Sequence, residues 1–492
     1  IRRPPRSTPL YSSAASDVYK RQMPFTARRT LFTQSFILIC CNLSFCNIGL
    51  AQHPNVIFLL SDDQRPDTIG ALGNDVIQTP NLDRLVREGS VFTQATCANP
   101  LCVPSRAEIL SGQTGFRNGV HVPPLKPDMN HITWPQAMKA AGYNTYWVGK
   151  WMIAGRPSTR GYQESLGLFS SGGKPELPQF DDAGREVTGY RGWVFQTDEG
   201  QRFPEQGIGL TPGIEKKFAD AAIEFIQREH DKPYFLHVNF TAPHDPLLAP
   251  PGWENTYPPK RMPLPKNFKP QHPFDHGNFK GRDELLNSLP RKRSDIKRDL
   301  ATYYAVISYM DQQIGRIIHA LDKSGQADNT IIVFSSDHGL ALGSHGLMGK
   351  QNMYEHTINV PLIFKGPGIP RGERFNAQCY LRDLYPTFMD ITNQEYNPAI
   401  EGTSLMPVLR NEIDEVYPFI IGYFKNSQRM IRMQGWKLID YPEANKVQLF
   451  HLGTDPHELK DLATNPKFAS IQKQLRQEMN TWLLNHGDPL AN

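Results

Sequence analysis

Two short polar groups follow apolar runs in this sequence and contain residues that bind metals. Asp62 and Asp63 come after "NVIFLL", and Asp337 and His338 come after "IIVFSS". An adjacent acidic pair alone is typical of a solvated loop, but two such groups at the ends of buried strands favour a shared site. Carboxylates from separate loops suit a hard divalent cation, and the single histidine leaves the identity of the ion open.

Three cations and one histidine are candidates for binding an anion beside such a metal. Lys150 ends "YWVGK", Lys350 ends "GLMGK", and Arg106 ends "CVPSR". Each alone is typical of a surface charge, but together with a divalent metal they would neutralise a tetrahedral oxyanion such as sulfate or phosphate. His244, in "TAPHDP", follows another apolar run, where it would protonate a leaving alcohol or serve as a hydrogen-bonded loop residue.

Cys102, at the start of "CVPSRAEILSGQ", is the candidate nucleophile. Beyond residue 51 the sequence has two further cysteines, Cys97 and Cys379, which is too few for a disulfide framework. An odd number of thiols in an oxidising compartment leaves at least one without an intrachain partner. A disulfide to Cys97, or an inert buried thiol, is the structural alternative for Cys102.

The elements that would position these residues alternate between helix and strand. An apolar strand is predicted at 55–60 and an amphipathic helix at 79–89, and a helix followed by a strand recurs at 134–150, 214–240 and 294–339. This alternation predicts an α/β fold with a parallel sheet covered by helices on both faces. Ligands of such sheets lie beyond the carboxyl ends of the strands, where the candidate residues are found.

Three segments depart from that alternation. Residues 155–212 are rich in glycine, proline and polar residues with scattered aromatics, and we expect a long ordered insertion near the site. Residues 249–293 are rich in proline and basic residues and predict a second loop region. Strand patterns and an amphipathic helix over 415–492 predict a small C-terminal α+β subdomain, which leaves 52–414 as the catalytic domain.

The first 51 residues have the features of processing segments. Residues 1–22 lack apolar periodicity and resemble translated adaptor sequence, so we expect a non-native artefact. Residues 23–51 combine a basic start, an apolar run and small residues, which predicts a cleaved signal peptide and a periplasmic or extracellular protein without a stable membrane span; a membrane anchor is the alternative. Residues 52–492 contain 46 basic and 48 acidic side chains, which gives no electrostatic reason to expect nucleic acid as a partner.

The stretch "CVPSRAEILSGQ" resembles the C-x-P-S-R signature of the type I sulfatases, a family of the alkaline-phosphatase-like superfamily. The segments "NVIFLLSDDQ", "GKW", "APHDP", "SSDHG" and "LFHLGTDPHELKDLA" stand in the order that this family shows. The resemblance covers residues 52–492. It implies an alkaline-phosphatase-like fold with a mixed, mainly parallel sheet and a small C-terminal subdomain, and a sulfuric ester hydrolase (sulfatase) acting on a sulfated carbohydrate.

The resemblance also gives Cys102 a role that its own chemistry does not. In this family a formylglycine-generating enzyme oxidises the cysteine to an aldehyde, which hydrates to a geminal diol. One hydroxyl attacks sulfur and the alcohol leaves; the second hydroxyl then expels sulfate and regenerates the aldehyde. Cys102 would therefore be the precursor of the nucleophile.

The remaining candidates receive roles by the same resemblance. One Ca²⁺ ion would be held by Asp62, Asp63, Asp337, His338 and the modified Cys102, and it would polarise the sulfate and lower the pKa of the diol. Arg106 would stabilise the hydrate. Lys150 and Lys350 would bind sulfate oxygens, and His244 would bind sulfate or act on the leaving oxygen.

One position departs from the family pattern. Most members have G-K-W-H, whereas this chain has "GKWM", and the thioether of Met152 cannot transfer a proton. His121 and His345 are candidates for that role, and His345 is also a candidate for substrate binding. His338 stands where many members have asparagine, a variant that also occurs in the family.

Two alternatives to a sulfatase remain open from the sequence. A phosphate or phosphonate ester hydrolase of the same superfamily is the first, although such members usually have Ser or Thr as the nucleophile, or a different cysteine context. A catalytically silent protein that binds sulfated glycans is the second, and Met152 is the feature that favours it.

Overall fold

The computed structural model describes residues 53–121, 132–174 and 178–491. The expected artefact at 1–22 and the expected signal peptide at 23–51 lie outside the described residues. Within the described ranges, no helix is long and apolar enough to span a bilayer.

A nine-stranded sheet lies at the centre of the fold. Its strands are β1 (Asn55–Ser61), β2 (Ser90–Thr96), β3 (Asn144–Lys150), β4 (Glu164–Ser171), β5 (Trp193–Phe195), β6 (Tyr234–Asn239), β7 (Thr330–Ser336), β8 (Leu362–Lys365) and β9 (Glu373–Tyr380). Across the sheet they lie in the order β5-β4-β3-β6-β1-β7-β8-β2-β9. Only β5 and β8 run antiparallel to their neighbours in it. The predicted mixed, mainly parallel sheet is therefore confirmed.

Helices cover both faces of this sheet. They are α1 (Pro80–Glu88), α2 (Cys102–Ser111), α3 (Gly115–Asn118), α4 (Trp134–Ala140), α5 (Glu215–Gln227), α6 (Arg293–Lys323), α7 (Glu355–Ile358), α8 (Leu384–Ile391), α9 (Met406–Leu409) and α10 (Ala469–Asn485). Strand β1 shows how the two layers arise, because its side chains alternate between faces. Val56 and Phe58 pack in one core with α2, α4 and α8, whereas Ile57 and Leu59 pack in the other with α1, α5 and α6.

The segment expected to be an insertion, 155–212, also extends the main sheet. Strands β4 and β5 lie within it, and the buried Phe169 and Phe195 pair across them. Strand β5 has only three residues and glycines lie around it, so the sequence shows no alternation of apolar and polar residues that would predict a strand. Residues 249–293 form the expected loop region, with short 3₁₀ turns such as Arg282–Leu286.

A second, antiparallel sheet follows near the C-terminus, as the sequence predicts. Its strands, in order across the sheet, are β10 (Phe419–Phe424), β11 (Gln428–Met433), β12 (Trp436–Tyr441) and β13 (Lys446–His451), and α10 packs against them. The boundary between 414 and 415 stays a prediction.

Buried polar contacts tie helix α2 to this second sheet and to the turn that follows β9. Glu108 forms an ion pair with Arg382 Nη1 at 3.0 Å, and both side chains are only 4% exposed. The Tyr423 hydroxyl, from β10, donates to Glu108 and accepts from the backbone N–H of Gly115. Because α2 begins at Cys102, these contacts fix the helix that carries the candidate nucleophile.

We expect Arg382→Met to destabilise the protein by about 3–5 kcal/mol, because it leaves the buried Glu108 carboxylate without its cation. The measurement is the free energy of unfolding in urea. Arg117→Met is the matched control, since the Arg117–Glu401 pair is 3.5 Å apart and Arg117 is 54% exposed; its loss should cost less than about 1 kcal/mol. Equal effects of the two substitutions would contradict the anchoring role of Arg382.

Candidate active site

Four adjacent parallel strands deliver buried polar residues to one edge of the main sheet. Lys150 is the last residue of β3 and Asn239 the last of β6. Asp62 and Asp63 directly follow β1, and Asp337 directly follows β7. All five side chains are buried. The carboxyl ends of the strands therefore converge on one site, as the sequence pattern predicts.

Asp62 lies at the centre of the cluster. Its Oδ1 is 3.5 Å from Cys102 Sγ and 3.4 Å from Arg106 Nη2. Its Oδ2 accepts hydrogen bonds from Lys150 Nζ, at 2.6 Å, and from the Tyr190 hydroxyl. One carboxylate thus contacts the candidate nucleophile, two cations and a phenol.

Arg106 joins the ends of three strands. Its Nε donates to Asp337 Oδ2 at 3.0 Å and its Nη1 donates to Asn239 Oδ1, while Nη2 faces Asp62. Arg106 follows Cys102 by four residues on α2, so both side chains lie on the helix face that meets the strand ends. The C-x-P-S-R spacing therefore brings Cys102 and Arg106 to the strand ends together.

Asp63 is the second carboxylate that contacts several site residues. It has φ of 70°, a left-handed conformation that Asp adopts more readily than most residues. Its carboxylate accepts from Lys350 Nζ at 2.9 and 3.0 Å and lies 3.2 Å from His338 Nδ1. Lys350 Nζ is also 3.5 Å from Cys102 Sγ, and the Asp63 N–H donates to Asp337 Oδ1 at 3.1 Å.

His244 closes another side of the site. Its Nδ1 donates to the carbonyl oxygen of Asp245, so Nε2 is the nitrogen that faces the cluster, 3.8 Å from Asp63 Oδ2. The ring meets that of Tyr190 edge to face, with centroids 4.7 Å apart. The Asp245 carboxylate accepts from Arg282 Nη2 at 2.9 Å. The loop that carries His244 is therefore held by an ion pair to the 249–293 region.

Burial controls the protonation of the histidines and carboxylates in the cluster. It lowers the pKa of His338 to about 4 and the pKa of His244 well below its usual value, so both rings are neutral at pH 7. Burial raises the pKa of Asp63, and the nearest lysine only partly offsets it. Burial would also raise the pKa of Asp62, but Lys150 and the other cations outweigh it and hold that pKa well below its usual range.

The thiol of Cys102 is not activated as a nucleophile. Burial raises its pKa, and Lys150 and Lys350 only partly offset this effect. Because the thiolate is the reactive form, an unmodified Cys102 is a poor nucleophile here. Cys102 has no disulfide partner among the described residues, and Cys97 Sγ contacts the carbonyl of Asn99; the alternative of a disulfide between Cys102 and Cys97 is wrong.

The donor set fits a divalent cation. Ligand atoms of Asp62, Asp63, Cys102 and His338 lie within 4.8 Å of one another, and all four residues are buried. His338 Nε2 has no hydrogen-bond partner among the described residues, and a neutral imidazole with a free lone pair is a common metal ligand. Asp337 lies beside this group, with its Oδ2 3.6 Å from His338 Nε2.

Two histidines considered from the sequence contact other parts of the protein. His345 stacks on Tyr354 with ring centroids 3.8 Å apart, and its Nε2 faces Asn267 Nδ2 at 2.9 Å. His121 packs on Phe116 and approaches a backbone carbonyl at 3.3 Å. These contacts account for the burial of His345 without a substrate, and its role in substrate binding or proton transfer stays a prediction.

Met152 lies close to the site, as its place in "GKWM" suggests. It lines a cavity of about 10 Å³ together with Arg106, Lys150, His237 and Asn239. Nδ1 of the neighbouring His237 shares a hydrogen bond of 2.7 Å with the Tyr162 hydroxyl. Met152 therefore lines the same small cavity as two of the site cations.

Sequence reasoning missed two residues that contact the cluster. Asn239 ends an apolar strand, and this position was the signal that could have identified it. Tyr190 lies in the glycine-rich segment before β5, where no periodicity distinguishes it from the other aromatic residues. Only the path of the chain brings its hydroxyl to Asp62.

Comparison with known proteins identifies the family. A family model described as sulfatase matches residues 54–394, and one described as N-sulphoglucosamine sulphohydrolase, C-terminal, matches residues 343–484. A relative named sulfatase, from Formosa agariphila, is 28% identical over 450 residues, which cover 86% of this chain and 85% of the relative.

Solved structures share the fold. BT4656, solved in complex with its substrate D-glucosamine-2-N,6-O-disulfate, has a TM-score of 0.73 at 24% identity, over 89% of this chain and 99% of that one. The phosphonate monoester hydrolase of Agrobacterium radiobacter has a TM-score of 0.68 at 21% identity, over 88% of this chain and 96% of that one. Because the sulfatase model matches most of the sequence, the chain belongs to the sulfatase family of the alkaline-phosphatase-like superfamily and is a sulfuric ester hydrolase.

Proposed function

We propose that this protein is an exported sulfatase that hydrolyses O-sulfate esters of a carbohydrate through formylglycine derived from Cys102. The observation that carries the proposal is the place of Cys102 Sγ, 3.5 Å from both Asp62 Oδ1 and Lys350 Nζ. A buried thiol with a raised pKa gains little from such partners, whereas the hydroxyls of a formylglycine hydrate would bond to both. The maturation enzyme that oxidises Cys102 is the implied partner.

We assign each neighbouring residue the role that the family resemblance implies, and the contacts of the residue support that role. The formylglycine hydrate would supply one hydroxyl for attack on sulfur and a second for release of sulfate. Lys150 and Lys350 reach the cluster from two sides and would bind sulfate oxygens, and Arg106 would hold the hydrate. His244 directs Nε2 into the site, where it would contact the sulfate or the leaving oxygen.

The cation that we propose is Ca²⁺, held by Asp62, Asp63, Asp337, His338 and the modified Cys102. Oxygen-rich ligand sets drawn from several loops suit this ion, and His338 supplies the one nitrogen. When bound, the ion would polarise the sulfate group.

The carbohydrate substrate is supported by a structural neighbour. BT4656 was solved with a disulfated glucosamine as its substrate. A phosphonate monoester hydrolase shares the fold at a similar TM-score, so hydrolysis of phosphonate esters is the second candidate function. Met152 remains the feature that favours the silent glycan-binding alternative, because no contact among the described residues assigns the proton-transfer role of the family's usual histidine.

Export remains part of the proposal. It is supported by the signal-like sequence at 23–51, which lies outside the described residues, and it would place the protein in the periplasm or outside the cell.

Cys102→Ala should abolish turnover, with a loss of at least about a thousandfold, because the substitution removes the atom on which the nucleophile is built. The measurement is sulfate release from glucosamine 6-sulfate and from 4-nitrophenyl sulfate by protein produced with a formylglycine-generating enzyme. Cys97→Ala, a buried cysteine five residues away, is the control and should retain activity. Full turnover by the Cys102 variant would rule out the formylglycine mechanism, and preference for phenyl phosphonate would favour the second candidate function.

Removal of divalent cations with EGTA should lower turnover and the unfolding temperature, and Ca²⁺ should restore both, because ligand binding stabilises the folded state by mass action. Asp63→Asn should raise the Ca²⁺ concentration that is needed to stabilise the protein by at least about tenfold. Asp311→Asn is the control, since Asp311 is equally buried but holds the start of α1 through Leu82 N. An unfolding temperature that does not respond to Ca²⁺ would count against the cation site.

A further inference from the structure

Tyr190 covers the cluster although no sequence motif marks it. The residue is 7% exposed, and its hydroxyl donates to Asp62 Oδ2. Its ring lies under Lys150, with Nζ 5.0 Å from the ring centroid, and meets His244 edge to face. One side chain therefore contacts three residues of the proposed site.

The backbone around Tyr190 is held in place by specific contacts. Tyr190 has φ of 57°, which is uncommon for a bulky residue and persists only where the surroundings enforce it. Gly189 packs so closely that an added Cβ would lie 2.6 Å from the carbonyl oxygen of Asp245 and 2.7 Å from Arg282 Nη1. The same Asp245 carries the ion pair that holds the His244 loop. The position of Tyr190 is thus fixed relative to the site.

The two oxygens of Asp62 have different partners. Oδ2 is occupied by Lys150 and Tyr190, and Oδ1 faces Cys102 Sγ and Arg106. A carboxylate whose second oxygen accepts from two donors cannot rotate freely. Hydrogen bonds of this kind orient metal ligands and change the affinity of the site for the metal.

We propose that Tyr190 is a positioning residue that holds Asp62 Oδ2 and so presents Oδ1 to the cation beside residue 102. This inference rests on the cation site of the proposed function. It predicts that the hydroxyl of Tyr190, more than its ring, sets the affinity for Ca²⁺ and the rate of the chemical step.

Tyr190→Phe tests this role because it removes only the hydroxyl. We expect the Kd for Ca²⁺, measured by calorimetry on metal-stripped protein, to rise about 10–100-fold. At saturating Ca²⁺ we expect kcat to fall while KM for the sulfate ester changes less than kcat does. Tyr162→Phe is the matched control, since Tyr162 is also buried but its hydroxyl pairs with His237; its Kd for Ca²⁺ should not change.

Gly189→Ala provides an independent variant, because the new Cβ would push the segment away from Asp245 and displace Tyr190. It should also weaken Ca²⁺ binding. Unfolding temperatures in EGTA would show that each variant is folded before metal is added.

The outcomes separate the two levels of the proposal. If the unaltered enzyme binds no Ca²⁺, the cation site itself is wrong. If it binds Ca²⁺ and Tyr190→Phe binds it equally well, only the role of Tyr190 is overturned. Unchanged Ca²⁺ affinity together with a lowered KM would identify Tyr190 as a group that competes with the sulfate, which also overturns the positioning role.

Discussion

The burial of three carboxylates at one edge of the sheet is the constraint on which the site depends. Asp62, Asp63 and Asp337 have no exposed surface, and a buried carboxylate without a cation costs several kcal/mol. Ion pairs with three buried cations from different elements offset this cost, and these cations are Lys150, Arg106 and Lys350. The buried carboxylates have these cationic partners only when β3, α2 and the segment after β7 are docked together. The same contacts therefore assemble the fold and the site.

This constraint also explains why α2 is anchored from its far side. The helix presents Cys102 and Arg106 to the strand ends, while Glu108 binds Arg382 and accepts from Tyr423 of the second sheet. Nearly every residue of α2 is buried, so neighbouring elements pack against the helix on all sides and restrict its movement. The C-terminal sheet thus contributes to the position of the candidate nucleophile even though its strands supply none of the proposed site residues.

The parts of the fold that follow from strong local patterns were predictable. Buried parallel strands give continuous apolar runs, so the polar residues after them, such as Asp62 and Asp337, could be assigned to one edge of the sheet. Tyr190 could not, because its place depends on a left-handed backbone and on contacts with residues distant in sequence. The stacking of His345 on Tyr354 could not be predicted either, because the two residues are brought together by the fold and no local pattern marks the pair.

The most direct test of formylglycine at position 102 is mass spectrometry of the tryptic peptide Glu88–Arg106, from protein produced with a formylglycine-generating enzyme. The peptide contains both Cys97 and Cys102, so one thiol serves as the internal reference for the other. We predict that position 102 has the mass of an aldehyde or its hydrate while Cys97 remains a thiol. Two unmodified thiols, in the presence of a competent maturation enzyme, would contradict the proposed nucleophile.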